Sequence, residues 1–377
     1  MGIIKKIKKQ KEEIYQIFGI PVCTITKSYN YKYKTILRIL SKTKKYENYT
    51  EYRITKLFNL PLLERIENLD IIELKVLNAF KRITDKEEET KKILKKIVKP
   101  KYNKIFILKS NLGEAYLFLK FILNNLILKS DVPLIIATKK YHINLINMLT
   151  PNIDKIYTAN LHYEINNKVM LVGEQYVYVA FPMKFYTNTE EKIRNGHCHY
   201  MSEIYNFFNI SKKNISSTNN VKISQELKKR TRDYLQKNNI KKFVFLSTDA
   251  TTCENIDKKF WDKLEKELNI KIIKNSKDMT LEEAYAIAHK ALAIISLRSG
   301  LSEILSGINN LQIILYTNFK ERYRFDVISE MKVSKGFSLK AIEPNRKNIF
   351  ELEYSKESED KIIEWIKDIV NMRAKIK

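Results

Sequence analysis

The chain has 377 residues, 44% apolar and 30% charged, which supplies enough apolar material for a core and excludes wholesale disorder. Its length suits two domains and an extension better than a single core. Lys and Arg number 69 against 43 Asp and Glu, a net charge of +26, which implies affinity for anionic surfaces such as membranes, nucleic acids or nucleotide phosphates.

In chain order, the start MGIIKKIKKQKEE is basic but no apolar stretch of signal-peptide length follows it. Position 6 is not Ser or Thr, so Gly2 lacks a myristoylation motif. Residues 1–98 read as a basic N-terminal extension without strand–helix alternation; the first hundred residues hold 24 basic and 12 acidic side chains. Within it, residues 15–22 (YQIFGIPV) and 55–62 (TKLFNLPL) share a pattern forty residues apart. A short strand–turn unit used twice would explain this, and so would chance in an Ile- and Leu-rich chain. Residues 87–99 read as a charge-laced helix or linker.

From Lys104 strands and helices alternate. Strands are predicted at Ile105–Leu108, Pro133–Ala137, Lys155–Tyr157 and Val169–Leu171, and helices at Gly113–Leu128, Tyr141–Leu149 and His199–Phe208. The polar stretch Ser211–Ser224 reads as a linker. A second run follows, with strands at Phe243–Ser247, Ile270–Ile273, Ala293–Ser296 and Gln312–Tyr316. Its helices are Lys259–Leu268, Thr280–His289 with a capping box from Thr280 to Glu283, and one opening at Leu301–Leu305. Asp360–Met372 is an amphipathic C-terminal helix. The expected fold class is therefore α/β, two Rossmann-like domains facing a cleft, at residues 99–215 (acceptor side) and 225–340 (donor side), with a C-terminal segment at 341–377.

Only eight glycines occur, so glycines at strand-to-helix junctions stand out. Gly113 closes the loop Ser110-Asn111-Leu112 after the first strand, and Gly300 holds the same place after Ala293–Ser296. At both, a helix N-terminus offers amides and a positive dipole to an anion; the plainer reading is ordinary turn chemistry. Arg298 and Ser299 precede Gly300 and add a fork donor and a hydroxyl. Arg298 could equally pair with Glu303 on the following helix. Glu114, one residue into its helix, is either a dipole-friendly first-turn residue or a general base.

Lys109-Ser-Asn-Leu-Gly-Glu114 resembles the S-x-G-D loop of the ADP-heptose-type lipopolysaccharide glycosyltransferases. Leu246-Ser-Thr-Asp-Ala250 with Lys259-Phe-Trp261 resembles that family's strand-end loop and K-x-W element. Met279–Glu283 with Ala288–Ser306 resembles its later stretch, and His197–Ile210 the segment ending its first domain. The resemblance covers residues 102–320. It departs at Arg298-Ser-Gly-Leu-Ser-Glu303, which stands where the family has D-T-G-L-x-H, and at Glu114, which replaces Asp. The resemblance implies the two-Rossmann GT-B fold and sugar transfer from a nucleotide-sugar donor, with inversion and without metal, to a lipid-linked or oligosaccharide surface-glycan acceptor. In that scheme Glu114 is the base, Ser110, Asn111 and Gly113 form the acceptor-side loop, and Ser247, Thr248, Lys259, Arg298, Ser299 and Gly300 hold the donor. No cofactor is implied beyond the nucleotide-sugar substrate, and the absence of a D-x-D pair leaves the usual carboxylate metal clamp unsupported.

Other candidates are weaker. In His197-Cys198-His199, i and i+2 side chains share a face only in a strand, and no further ligand is near in sequence. Cys253 lacks an evident base, and Trp261 and Trp365 read as packing residues. Residues 320–325 (KERYRF) interleave basic and aromatic side chains, as a nucleic-acid or acceptor contact or a solvated loop edge would. Cys23, Cys198 and Cys253 lie far apart, which fits a reducing cytoplasm. The apolar stretch Ala115–Leu128 is broken by Lys120, Asn124 and Asn125, so no spanning segment is expected. Together with the basic extension this predicts a cytoplasmic protein held peripherally on the anionic inner face of a membrane. Two rival readings are a basic nucleic-acid-binding protein, although the excess is 57 Lys against 12 Arg and no binding motif is present, and a GT-B scaffold that has lost catalysis.

Overall fold

The computed structural model describes residues 4–376 except 10–11, 18–19, 29–30, 37–39, 48–49, 58–59, 68–70, 77–79, 162–164, 166, 183–184, 186–192, 194–198, 212–219, 319–335 and 343–345. His197, Cys198, the 320–325 segment and most of the expected linker lie outside the described residues. Met1–Lys99, Asn160–Glu174 and Pro182–Lys184 form one compact unit, and the remainder a second.

The first unit contains a nine-stranded sheet, each strand antiparallel to the next in chain order: β1 (Ile4–Lys9), β2 (Glu12–Ile17), β3 (Ile20–Ser28), β4 (Tyr31–Ile36), β5 (Leu40–Glu47), β6 (Thr50–Leu57), β7 (Leu60–Glu67), β8 (Ile71–Val76) and β9 (Phe80–Asp85). The two similar octapeptides occupy equivalent places. In the β2–β3 hairpin Ile17 pairs with Ile20, and the register shifts between Tyr15 and Gln16. In β6–β7 Leu57 pairs with Leu60, and the shift falls between Thr55 and Lys56. A bulge leaves one residue unopposed and kinks the strand, and here it recurs at a forty-residue offset. The offset extends to β4 and β8, which begin at 31 and 71. Helix α1 (Lys86–Ile97) follows, capped by the Asp85 side chain accepting from the Glu88 amide at 3.0 Å. Its acidic first turn and basic last turn suit the helix dipole. The same unit contains β13 (Val169–Val172), against which α1 packs.

The second unit contains two parallel sheets. The first has β12 (Asp154–Tyr157), β11 (Pro133–Ala137), β10 (Lys104–Leu108) and β14 (Gln175–Val179) side by side in that order. Its helices are α2 (Leu112–Leu117), running through a π-helical turn Phe118–Ile122 into α3 (Leu123–Leu126), then α4 (Lys140–Leu149) and α5 (Tyr200–Phe207). After α6 (Gln225–Lys237) comes the second sheet. Its order is β16 (Lys271–Lys274), β15 (Phe243–Ser247), β17 (Ala293–Leu297), β18 (Leu311–Tyr316), β19 (Ile349–Glu353). Helices α7 (Lys258–Leu268), α8 (Leu281–Ala288), α9 (Gly300–Leu305), α10 (Leu339–Ile342) and α11 (Glu359–Ile376) complete it. Every residue of β15, β17 and β18 is buried, as strands covered by helices on both faces must be. Their largely apolar runs, interrupted by Ser247, Ser296 and Gln312, are the sequence form of that burial. Among the described residues no helix is long and apolar enough to cross a membrane.

Candidate functional site

Chain direction across each sheet locates where a ligand would enter. In the first sheet the chain runs from β10 outward to β11 and β12, then returns to place β14 on the other side of β10. In the second it runs from β15 to β16, then places β17 on the other side of β15. Reversals of this kind leave a crevice at the carboxyl ends of the two diverging strands. The crevices fall at Lys109–Gly113 and at Ser247–Thr248 beside Arg298–Gly300, since Ser247 and Ser296 are register partners.

At the first crevice Asn111 caps α2. Glu114 Oε2 accepts the Asn111 amide at 2.8 Å and Oε1 accepts the Tyr200 hydroxyl at 3.0 Å. The Ser110 carbonyl takes Lys139 Nζ at 3.0 Å and contacts His142 Nε2 at 3.1 Å. His142 is fully buried. Burial, with the Lys139 charge beside it, pushes its pKa down to about 4, so the imidazole is neutral near pH 7. The Ser110 hydroxyl is buried without a hydrogen-bond partner.

At the second crevice the N-cap of α9 is Ser299, whose hydroxyl accepts the Ser302 amide at 3.3 Å while its own amide donates to the Ser302 hydroxyl at 2.8 Å. Arg298 turns inward and is 6% exposed. Nε donates to the Phe337 carbonyl and Nη1 to the Ser299 carbonyl, both at 3.1 Å, and Nη2 donates to Glu303 Oε1. The expectation that Arg298 grips a donor diphosphate does not fit this arrangement, because the guanidinium is committed to the fold. Glu303 is buried, and desolvation raises its pKa against the pull of Arg298, with the nearby Glu114 charge adding to the rise. Its Oε2 has no hydrogen-bond partner.

The two turns meet. A Cβ on Gly113 would lie 1.7 Å from Glu303 Oε2 and 3.1 Å from the Gly300 Cα, and one on Gly300 would lie 2.8 Å from the Gly113 nitrogen. Glycine is required at both places by the close approach of two helix starts. Gly113→Ala is expected to destabilise the protein by about 1–3 kcal/mol, the usual cost of overpacking. The clashing atom ends a side chain, but that side chain is buried and tied to Arg298, so it cannot swing away cheaply. A thermal melt checks this, and an alanine variant as stable as wild type would overturn the contact.

Around this junction the segment at Phe337 joins the two sheets' contributions. The Phe337 ring lies against Tyr200 with centroids 5.1 Å apart, and the Phe337 carbonyl accepts from Tyr316 as well as Arg298. His199 Nε2 contacts the Ser338 carbonyl at 2.9 Å. Glu351 accepts from the Ser338 and Tyr316 hydroxyls and the Leu339 amide, fixing the start of α10. Burial pushes the Tyr316 hydroxyl up, so it stays a donor.

The structure thus brings Ser110, Asn111, Gly113, Glu114, Arg298, Ser299 and Gly300 to one junction. Ser247 is buried at the end of β15 and Thr248 half-buried beyond it, on the same edge. Lys259 is exposed in the first turn of α7, whose N-cap Asp257 accepts its amide at 2.9 Å. Trp261 is buried, and the Trp365 ring packs on Phe350. Tyr200 and Phe337 were not among the expected site residues. Each reaches the site across many residues of chain, and nothing local in the sequence marks them. Among the described residues no three His, Cys, Asp or Glu side chains gather as a metal ion would need.

No family model matches the sequence, and no curated protein matches it. Among solved structures, the chain is similar to the ADP-heptose lipopolysaccharide heptosyltransferase II of E. coli. That match has 11% identity and a TM-score of 0.44 and covers 72% of this chain and 99% of the other. A glycosyl transferase of family 9 from Veillonella parvula matches at 10% identity and TM-score 0.45, covering 71% and 89%. The dodecameric, iron-containing glycosyltransferase TibC of enterotoxigenic E. coli matches at 10% identity and TM-score 0.39, covering 78% and 82%. At such identities and scores, what the chain does has to come from its own geometry.

Proposed function

We propose that the chain is a glycosyltransferase that moves a sugar from a nucleotide-sugar donor to a lipid-linked or oligosaccharide surface-glycan acceptor. The observation that carries the reading is the meeting of the two sheets' crevices at Gly113 and Gly300, with Glu114 beside them. A donor placed at the second crevice would have its diphosphate near the α9 turn, Ser299, Ser247, Thr248 and the exposed Lys259. Amides, hydroxyls and an ammonium stabilise a leaving phosphate without a metal. An acceptor hydroxyl entering from the first crevice would lose its proton to Glu114 as it attacks the sugar C1, and direct displacement inverts that carbon. In this scheme Arg298 is a positioning residue that holds Glu303 and the Phe337 segment. The protein would work on the cytoplasmic side of a membrane, where nucleotide sugars and lipid-linked acceptors meet.

A thermal-shift screen over nucleoside diphosphates and their sugars tests the reading, since a ligand that binds only the folded state raises its melting temperature by mass action. One nucleotide sugar is expected to stabilise the protein more than the others and to be consumed with an acceptor extract. No shift with any of them, together with tight, salt-steep binding of random oligonucleotides, would overturn it in favour of a nucleic-acid-binding protein.

A further inference from the structure

The register of the nine-stranded sheet assigns each paired residue to one of two faces, because antiparallel partners share a face and neighbours in a strand alternate. The outcome is lopsided. One face holds ten basic and three acidic residues; the other holds six and five. On the basic face, successive strands pair Lys27 with Lys32, Lys32 with Lys44, Lys44 with Arg53 and Arg53 with Arg65. Arg65 pairs with Leu74, and Leu74 with Arg82. Six of seven positions in one continuous row are therefore cationic, over roughly 29 Å at the usual strand spacing of about 4.8 Å. Like charges directly opposite each other weaken a sheet. Arg53, the residue of the row whose side chain the structure describes, is exposed.

Beside this row, about 13 Å along the strands at ~3.3 Å per residue, the same face carries a second continuous row: Cys23, Ile36, Leu40, Leu57 and Leu60. A cationic belt next to an aliphatic belt suits the boundary between headgroups and acyl chains. Binding single-stranded nucleic acid would instead call for aromatic stacking platforms among the cations; the cationic row holds none, the aromatic residues of this face, Tyr15, Tyr46 and Phe80, standing outside it.

We propose that this face of the sheet is the docking surface of the protein for an anionic lipid bilayer, with the basic row at the headgroup phosphates and the aliphatic row at the acyl boundary. The inference deepens the reading of a membrane-side enzyme by naming the surface, and it stands or falls separately from sugar transfer. Each basic residue near an anionic bilayer strengthens partitioning about fivefold. The test compares two full-length variants with equal charge loss. One carries Lys32→Gln, Lys44→Gln, Arg53→Gln and Arg65→Gln; the other carries Lys45→Gln, Lys56→Gln, Lys75→Gln and Lys81→Gln on the opposite face. Flotation uses vesicles of phosphatidylcholine alone or mixed with phosphatidylglycerol. Wild type and the opposite-face variant are expected to float with the anionic vesicles, and the row variant to lose at least ~100-fold in partitioning. Because like charges are being removed, the row variant should melt no lower than wild type, which excludes misfolding as the cause. Equal losses in both variants, no loss in the row variant, or tighter binding of an oligonucleotide than of vesicles would overturn the proposal. Turnover with a soluble acceptor should be the same in all three proteins; its absence would bear on the transferase reading alone.

Discussion

Arg298→Ala is expected to lower the melting temperature of the ligand-free protein sharply. The guanidinium is buried, donates to two carbonyls and pairs with Glu303, which is itself buried. Removing one partner of a buried pair leaves an uncompensated charge, at a cost of about 3–5 kcal/mol. The two free carbonyls add to this. The sign with pH is fixed by Glu303, whose folded pKa is already raised above the ordinary carboxylate value by burial. Without Arg298 the opposing pull disappears and that pKa rises further. Protonation then stabilises the folded variant below the unfolded carboxylate value, and this contribution is lost as pH rises through the folded one. The deficit against wild type should therefore be smallest in acid and grow as pH climbs above the carboxylate range. Arg298→Ala combined with Glu303→Ala should recover part of the loss, because the pair acts as a unit. Melting curves of the three proteins across pH decide the matter. An Arg298→Ala variant with unchanged apo stability and weakened donor binding would make the arginine a donor ligand instead.

How much of this was legible in the sequence varies with the physical signal each part carries. The central parallel strands were readable because a strand covered on both faces is apolar along nearly its whole length: Phe243–Ser247 and Ala293–Ser296 are such runs, each closing on a serine, and the strands at 243–247 and 293–297 coincide with them to within a residue. Gln175–Val179 buries only Val177 and Val179 and Ile349–Glu353 is buried only at its first residue, so neither gives such a run. Helix Gln225–Lys237 buries Thr231 alone, with Leu235 partly buried against the core, a stripe too thin to stand out in so polar a segment. The N-terminal strands hide for another reason. Their alternation sets lysine against isoleucine, threonine and tyrosine within a uniformly basic composition, and only the two Pro-containing hairpins stand out, because their residue pattern recurs forty positions apart. At the site, glycine scarcity marked both turns. The inward course of Arg298 was open in the sequence, because pairing with Glu303 and gripping a phosphate call for the same residue at the same place. The contact of Tyr200 with Glu114 spans 86 positions and is set by how α5 packs, which no local pattern encodes.

Glu114→Gln is expected to leave the fold intact and to reduce transfer by about 10²- to 10⁴-fold, the usual contribution of a positioned general base. The amide keeps the shape of the carboxylate. Its oxygen can still accept the Asn111 amide that the carboxylate now holds at 2.8 Å, and its NH2 can donate to the Tyr200 hydroxyl, which is able to turn and accept. Loss of the charge at the start of α2 costs only about 0.3–1 kcal/mol. The base has gone, so the loss should fall on kcat while donor binding is retained. Tyr200→Phe separates a base from a mere cap. The variant removes the hydroxyl that Glu114 Oε1 accepts at 3.0 Å and with it one of the two contacts that orient the carboxylate. If Glu114 is the base, Tyr200→Phe therefore lowers kcat while donor binding is retained, and Glu114→Gln lowers it much further. A helix cap with no part in the chemistry would leave kcat of both variants at the wild-type value. Near-normal turnover by Glu114→Gln with a matched acceptor would remove the assignment, and the unpartnered Oε2 of Glu303, beside Gly113, would then be the carboxylate oxygen to test.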